Sequence, residues 1–185
     1  MFIQELLKNP KHTGAIAPSS LKLSREIVQC ANLTKSQFTV ELGFGTGVFT
    51  NEILKYMHED HYLGIDTNES FAAHVQSQFP NATFVQDSAE HLKNILSERN
   101  IDTCDRIISG LPWSNFDPTL QSTILTAINE SLSKNGTFLT FAYPPFNQGT
   151  RGSNFQKELA KRFSNIEKIP ILLNIPPAII YRCTK

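Results

Sequence analysis

The sequence lacks the marks of several large protein classes. Its 185 residues include only three cysteines, Cys30, Cys104 and Cys183, and none lies close to another. That spacing argues against a disulfide framework or a zinc ribbon and favours a reducing compartment. The longest apolar run, 169–180, is interrupted by three prolines and an asparagine, so it is too broken to span a bilayer. The first ten residues lack the positively charged segment and the following apolar run of a signal peptide, so we expect no secretory signal.

Net charge is also absent, because seventeen Lys and Arg residues balance seventeen Asp and Glu residues. A zero sum argues against a uniformly basic nucleic-acid-binding protein, whose affinity comes largely from an excess of cations. The chain also has no internal repeat, low-complexity tract or linker-like stretch. A hydrophobic content of 40% indicates an ordinary globular chain with a substantial core.

What the chain does contain is a regular alternation of strand-like and helix-like patterns. Strand patterns cover 38–43, 62–66, 82–86, 106–111 and 136–143. Apolar residues recur at helical spacing in 49–57, 71–79, 120–132 and 155–163. Asp117 and Pro118 are the residues expected at an N-cap and a first helical position. The alternation predicts parallel strands joined by right-handed helical crossovers.

The C-terminal part departs from this alternation. Two strand-like runs, 166–173 and 178–183, are separated by only four residues. The gap is too short for a helical crossover, so these two strands should be antiparallel. We therefore predict an α/β, doubly wound sheet of seven strands, mostly parallel, with a C-terminal antiparallel hairpin. This order resembles the class I, Rossmann-like fold of S-adenosylmethionine (SAM) methyltransferases.

A glycine-rich loop, 41–47, joins the first predicted strand to a helix. Glycines there let the backbone adopt left-handed angles and let a ligand approach closely. A dinucleotide fingerprint would need a glycine at position 48, where Val48 stands, so an NAD-type enzyme is the disfavoured alternative. The loop instead resembles the E/D-x-G-x-G-x-G loop of SAM methyltransferases. That resemblance assigns to the cofactor site Glu41, Gly43, Phe44, Gly45 and Gly47.

Two acidic residues end the next predicted strands. Asp66 ends the second strand, where a carboxylate can accept both hydroxyls of a ribose. Asp87 ends the third strand, and the resemblance implies that it holds the adenine amino group. Their neighbours Thr67 and Ser88 are predicted to line the same site. SAM is therefore the expected cofactor and S-adenosylhomocysteine (SAH) its product.

The loop after the fourth strand, 109–113, lies at the carboxyl edge where open α/β sheets bind ligands. It resembles the N/S/D-x-P-P/Y/F/W loop of amino methyltransferases. That resemblance places Ser109 and Gly110 at the cofactor and gives Ser109, Leu111 and Trp113 catalytic roles. Main-chain carbonyls and Ser109 would accept hydrogen bonds from the amine. Trp113 would stack on a base or a methylammonium, the alternative being a core residue.

A proton must leave a primary ammonium before methylation. Asp117 and Tyr143 are the nearest candidates by position, and spacing alone does not choose between them. The remaining catalysis needs mainly proximity, because the site has only to hold the amine in line with the methyl group.

A more specific resemblance is carried by residues 9–20, 41–50, 109–112 and 175–178, with Tyr181-Arg182. These segments resemble the soluble bacterial phospholipid N-methyltransferases. The resemblance implies methylation of phosphatidylethanolamine or a related aminolipid at the membrane surface. It also implies an N-terminal helical segment, 1–35, that covers the cofactor through Thr13 and Ala15, followed by a methyltransferase domain, 36–185, in a single-domain protein.

The N-terminal pattern supports this implication without deciding it. Phe2, Ile3, Leu6 and Leu7 fall on one face of a short helix with basic residues just beyond, as in an interfacial helix. A helix docked on the protein's own core would show the same pattern. We therefore expect a cytoplasmic protein, peripheral on the inner face of the membrane.

The other functions considered are adenine N6-methylation of ribosomal RNA, methylation of a small-molecule amine, and SAM binding without catalysis. We expect a monomer whose partners are an anionic membrane surface and an aminophospholipid, with RNA as the alternative. No metal is expected, since 58–61 is typical of a solvated helix end.

Charge is distributed unevenly along the chain. Residues 36–105 include three basic and eleven acidic residues, whereas 1–35 and 106–185 carry net charges of +3 and +5. The acidic middle suits cationic SAM, and the basic ends suit phosphates.

Overall fold

A seven-stranded sheet organises residues 18–144 and 150–185, which are the residues described by the computed structural model. The strands are β1 Thr39–Leu42, β2 Tyr62–Asp66, β3 Thr83–Gln86, β4 Cys104–Ser109, β5 Leu132–Ala142, β6 Asn165–Ile171 and β7 Ala178–Thr184. The helices are α1 Pro18–Ala31, α2 Val48–Ile53, α3 Glu69–Gln78, α4 Leu92–Ser97, α5 Pro118–Ser131 and α6 Thr150–Arg162. The predictions for Thr13 and Ala15, and for the short helix that contains residues 2–7, lie outside the described residues.

The strands lie side by side in the order β3-β2-β1-β4-β5-β7-β6. Strands β1 to β5 are mutually parallel, and β7 runs antiparallel between β5 and β6. The doubly wound sheet and its terminal hairpin are therefore confirmed. The chain winds outward in both directions from β1 and β4, and open α/β sheets bind ligands at such a switch point.

Local signals begin two of the helices. The carboxylate of Asp117 accepts hydrogen bonds from the amides of Thr119 and Leu120 at 2.9 and 3.0 Å, which confirms the predicted cap of α5. Asn68 caps α3 in the same way through the amides of Ser70 and Phe71. These caps satisfy amides that have no partner inside the helix.

Some predicted boundaries were wrong. The apolar stripe that ends at Leu132 predicted one more helical residue, but Leu132 has an extended backbone and begins β5. Met57 likewise lies beyond α2. The short helix α4 was not predicted at all.

Each face of the sheet carries its own apolar cluster. One cluster joins the sheet to α4, α5 and α6 and includes Val40, Ile107 and Phe138. The other joins it to α1 and α2 and includes Ile108 and Leu139. Consecutive residues of β4 and β5 thus point to opposite faces, as strand geometry requires. Both layers leave the carboxyl edge of the sheet available for a site.

Helix α1 was foreseen only as part of a helical N-terminal segment. Its last carbonyl, on Ala31, accepts a hydrogen bond from Arg106 Nε at 2.6 Å. Arg106 pairs with the first residue of β1, so α1 ends near the amino edge of the sheet. No helix within 18–144 and 150–185 is long and apolar enough to cross a membrane.

Candidate active site

The glycine loop leaves β1 at the carboxyl edge and enters α2 at Gly47. Gly43, Gly45 and Gly47 have φ angles of 76°, 52° and 82°, a conformation that favours glycine. A Cβ added at Gly45 would meet no described heavy atom within 4 Å. The loop therefore presents bare backbone toward open space, which is a surface that a ligand can approach closely.

The loop after β4 packs directly against this glycine loop. The amide of Gly110 donates to the carbonyl of Leu42 at 2.8 Å. A Cβ at Gly110 would lie only 2.8 Å from the carbonyl oxygen of Gly43, and one at Gly43 would lie 3.0 Å from Leu111 Cδ2. The predicted cofactor loop and the predicted reaction loop are thus in contact at the ends of β1 and β4.

Asp66 lies beside the glycine loop. One carboxylate oxygen accepts from the amide of Gly45 at 2.9 Å, and the other accepts from the amide of Asn68 at 2.9 Å. A carboxylate has about four acceptor sites, so these two bonds leave capacity for hydroxyl groups. Asp66 is half-buried and the adjacent Thr67 is exposed, which leaves both within reach of a ligand.

Asp87 lies at the same edge, because its amide donates to the carbonyl of Asp66 at 3.1 Å. Its carboxylate contacts His91 Nδ1 at 2.7 Å and accepts from the Ser88 amide at 2.6 Å. The hydrogen bond with His91 lowers the pKa of Asp87, and the bond from the Ser88 amide adds a smaller effect in the same direction. The hydrogen bond with Asp87 in turn raises the pKa of His91. His91 was not predicted, although its spacing four residues after Asp87 was the available signal.

Ser88 has a structural role in the same turn. Its Oγ accepts a hydrogen bond from the amide of Glu90 and donates one to the Glu90 carboxylate. It therefore caps the short 3₁₀ turn Ala89–His91 and holds the Asp87 segment at the carboxyl edge.

Glu41 is buried below the glycine loop. Its Oε2 accepts from the Tyr62 hydroxyl at 2.6 Å and from Thr50 Oγ1 at 2.8 Å. Its Oε1 is also buried and has no hydrogen-bond partner among the described residues. Burial raises the pKa of Glu41 to about 7 and raises that of Tyr62 as well. An unpartnered carboxyl oxygen beneath a bare glycine loop leaves one buried hydrogen-bonding position open below the site.

This burial predicts a pH dependence of stability. The carboxyl of Glu41 titrates near ~4.3 when unfolded but at about 7 when folded, so the folded state keeps a proton that the unfolded state releases. The stabilisation is complete below the unfolded pKa and is lost as the pH rises toward 7. Between these two pKa values, we expect the free energy of unfolding of the unmodified protein to fall as the pH rises. The fall should exceed that of Glu41→Gln by on the order of 2–3 kcal/mol.

Urea unfolding at a series of pH values measures this difference. Glu98→Gln, which changes an exposed carboxylate, should show the same dependence of unfolding free energy on pH as the unmodified protein. If Glu41→Gln also shows that same pH dependence, the pKa assigned to Glu41 is contradicted.

Ser109 supports the reaction loop from within the core. It is fully buried, and its Oγ accepts from the amide of Leu111 at 3.2 Å. Its carbonyl accepts from Thr140 Oγ1 at 3.1 Å. The predicted direct contact of this side chain with an amine therefore does not fit, whereas the main chain of Gly110 and the partly exposed Leu111 remain at the edge.

Trp113 is a core residue, so the predicted stacking on a base or a methylammonium is wrong. It is 4% exposed and lies parallel to Phe155, with ring centroids 4.7 Å apart. Its Nε1 donates to Thr140 Oγ1 at 2.9 Å. The edges of further aromatic rings, those of Phe116 and Phe138, complete the enclosure. The ring therefore holds the reaction loop against the sheet.

The side chain of Phe44 is also buried, at 3% exposure, and packs edge-to-face on Phe84. Its side chain is therefore enclosed, and the predicted contribution of Phe44 to the cofactor site would come from its main chain. The glycine loop keeps its shape through the Phe44 carbonyl, which accepts from the Gly47 amide at 2.9 Å.

The two candidates for removing a proton have different surroundings. Asp117 is exposed, and one of its carboxylate oxygens accepts from the first amides of α5, so it is a helix cap, while its part in proton removal stays a prediction. Tyr143 follows β5 at the carboxyl edge, and burial raises its pKa. Its phenol stays neutral near pH 7 and can only donate or accept a hydrogen bond.

The residues that the structure describes include no group of three or more His, Cys, Asp or Glu side chains placed to hold a metal ion. His58 and Asp60 form a pair at 3.2 Å, and both side chains are exposed. The elements that the structure brings together at the carboxyl edge are the glycine loop, the two strand-end carboxylates and the β4 loop.

A profile of the methyltransferase domain family matches residues 40–136, more than half of the chain. The chain belongs to the methyltransferase domain family. The matched segment runs from β1 into β5 and includes the glycine loop, Asp66, Asp87 and the β4 loop.

Two curated relatives differ in how much they share with this methyltransferase. The ornithine lipid N-methyltransferase of Singulisphaera acidiphila is 29% identical over 187 residues, which cover 99% of this chain and 94% of that protein. The ribosomal RNA small subunit methyltransferase A of Thermotoga maritima is 26% identical, over 62% of this chain and 39% of that protein. The similarity to the RNA enzyme is therefore confined to part of each chain.

Solved structures confirm the predicted fold. The N-methyltransferase NodS from Bradyrhizobium japonicum WM9, in complex with SAH, gives a TM-score of 0.76 at 10% identity, covering 100% of this chain and 96% of that one. The magnesium protoporphyrin IX methyltransferase ChlM from Synechocystis PCC 6803, with bound SAM, gives 0.72 at 10% identity, covering 93% and 86%. The protein is a class I, SAM-dependent methyltransferase, as the glycine loop predicted.

Proposed function

We propose that this methyltransferase transfers methyl groups from SAM to the amine of a membrane aminolipid, phosphatidylethanolamine or a relative such as ornithine lipid. The observation that carries the proposal is the end-to-end similarity to an ornithine lipid N-methyltransferase. Because that similarity extends over nearly the whole of both chains, it includes the carboxyl-edge segments that would face an acceptor as well as the cofactor-binding half.

In this proposal SAM lies across the carboxyl ends of β1 and β4. Gly43, Gly45 and Gly47 provide the bare backbone, and Asp66 accepts the ribose hydroxyls with Thr67 beside it. The adenine side is contributed by Asp87, held by Ser88 and His91. Buried Glu41 lies below the loop with one carboxyl oxygen that has no partner among the described residues, and the resemblance adds Thr13 and Ala15. SAM, when bound, supplies an activated methyl group.

The chain's own contribution to transfer is mainly positioning. The β4 loop is fixed by Ser109 and by Trp113, so the main chain of Gly110 and Leu111 is held at a defined place beside the glycine loop. A rigid loop can hold an uncharged amine in line with a methyl group about 3 Å away, which supplies much of the barrier reduction.

Adenine N6-methylation of ribosomal RNA is the second candidate. Two ribosomal RNA small subunit methyltransferases are 26% and 25% identical to parts of this chain. Two features weaken this candidate. The β4 loop resembles the Asn-Leu-Pro-Tyr/Phe loop of ribosomal RNA adenine dimethylases, but Ser109-Gly110 replaces its asparagine. Trp113 is enclosed in the core, so its side chain cannot stack on a flipped base.

The experiment incubates the purified full chain with methyl-labelled SAM and separate acceptors. These are phosphatidylethanolamine vesicles, ornithine lipid vesicles, ribosomal RNA and a panel of small amines. We expect label on the lipid amine. Label found only in RNA would overturn the proposal in favour of the second candidate, and label found only in small amines would remove the membrane from it.

A further inference from the structure

The loop between β6 and β7, residues 172–177, has an inverted arrangement of polar and apolar side chains. We call it the hairpin tip. Leu172, Leu173 and Ile175 are 75%, 80% and 82% exposed, whereas the polar Asn174 between them is 1% exposed. Clustered exposed aliphatic side chains commonly mark an interaction site.

Hydrogen bonds and buried flanking residues fix the shape of the hairpin tip. Asn174 Nδ2 donates to the carbonyl of Pro176 at 2.6 Å, and the Asn174 amide donates to the carbonyl of Ile171 at 3.4 Å. Ile171 and Ala178, on either side of the tip, are buried in the apolar cluster of α1 and α2. The inward asparagine and these two anchors hold the three aliphatic side chains outward.

The tip lies at the same edge of the sheet as the candidate active site. Ile171 pairs with Ala178 at the end of the hairpin, and Ile179 pairs with Ala142, the last residue of β5. Ser109, at the end of β4, pairs with Thr140 on the other side of β5. At ~4.8 Å per strand, two to three strand spacings place the tip roughly 12 Å to the side of the β4 loop.

The charge around the tip suits an anionic surface. The charged residue nearest the tip along the chain is Lys168, and the next two, Glu167 and Arg182, form an ion pair at 3.3 Å. The tip itself carries no charge. An exposed apolar tip whose nearest unbalanced charge is the basic Lys168 suits a lipid interface, where apolar burial and attraction to anionic headgroups add.

We propose that the hairpin tip inserts Leu172, Leu173 and Ile175 into the interface of a phospholipid bilayer that contains anionic lipid. Insertion would bring the carboxyl edge, with the glycine loop and the β4 loop, down to the headgroups. The inference rests on the proposed aminolipid function for its purpose. The contact itself can be measured without any methyl transfer.

The first test places an indole at the tip. Leu173→Trp and the control Tyr56→Trp are mixed with vesicles of phosphatidylethanolamine and phosphatidylglycerol that carry bromine on their acyl chains. Tyr56 is 48% exposed and precedes β2 at the amino edge. Brominated chains should quench the emission of Leu173→Trp and leave Tyr56→Trp unquenched, while the single native tryptophan, Trp113, is buried and common to both.

The second test removes the apolar side chains. The triple variant Leu172→Ser, Leu173→Ser, Ile175→Ser should bind the same vesicles about tenfold more weakly or worse in sedimentation, with Tyr56→Ser unchanged. SAM binding by calorimetry should be the same for all three proteins, which shows that the triple variant is folded. If it does not fold, the quenching experiment alone decides.

The outcomes separate this inference from the proposed function. Equal quenching of the two indoles, or unchanged vesicle binding by a folded triple variant, overturns the inference even if lipids are methylated. A concentration-dependent dimer that the triple variant loses would assign the tip to a second copy of the chain and also overturn it. Quenching at the tip with label found only in RNA would instead refute the aminolipid function and leave the membrane contact standing.

Discussion

Asp66→Ala should weaken SAM binding by about ten- to a hundredfold, the effect of losing a partly buried, charge-assisted hydrogen bond. Two losses combine in this variant. The proposed ribose acceptor disappears, and so does the carboxylate that fixes the Gly45 amide at 2.9 Å and the Asn68 amide at 2.9 Å. Calorimetric titration with SAM measures the change.

Two further variants sharpen the interpretation of that result. Asp66→Asn keeps an oxygen for the Gly45 amide but removes the charge, so its affinity should fall between those of Asp66→Ala and the unmodified protein. Asp102→Ala removes an exposed carboxylate outside the site and should bind SAM normally. Unchanged affinity in Asp66→Ala would remove this residue from the cofactor site.

Gly110→Ala should have the second large effect, because the added Cβ would lie 2.8 Å from the carbonyl oxygen of Gly43. Backbone cannot move away as a flexible side chain can, so the β4 loop and the glycine loop must separate. We expect a loss of ~1–3 kcal/mol in stability, typical of overpacking. Weaker SAM binding and slower methyl transfer should accompany it.

The matched variant is Gly45→Ala. A Cβ there meets no described atom within 4 Å, although the positive φ of Gly45 makes alanine moderately strained. Both variants should bind SAM less well, but Gly110→Ala should lower the unfolding midpoint more. If Gly110→Ala matched the unmodified protein in both measurements, the contact between the two loops would not be required.

The sequence predicted the features that depend on neighbours along the chain. The bounds of β2, the cap at Asp117 and the antiparallel hairpin all follow from local pattern and turn length. Asp66 was placed beside the glycine loop for a further reason. Parallel strands end at one edge, so residues at the ends of β1 and β2 must meet there.

The errors fall on side chains whose surroundings come from distant parts of the chain. Trp113 looked available for stacking because its loop lies at a ligand edge, but Phe155, from a different helix, covers its face. Phe44 is buried by Phe84 from β3. Burial raises the pKa of Glu41, and the hydrogen bonds from Thr50 and Tyr62 partly offset that rise. These partners come from a helix and another strand, so the surroundings of Glu41 could not be predicted from spacing.

The most direct test of the central claim is a competition in one tube. Methyl-labelled SAM is added to the full chain with both aminolipid vesicles and ribosomal RNA present, and the label is followed into the organic and aqueous phases. The same mixture without the protein provides the background. Aminolipid N-methylation predicts label in the organic phase, on the headgroup nitrogen, and none above background in the RNA. Label in the RNA, with the lipid at background, would contradict it.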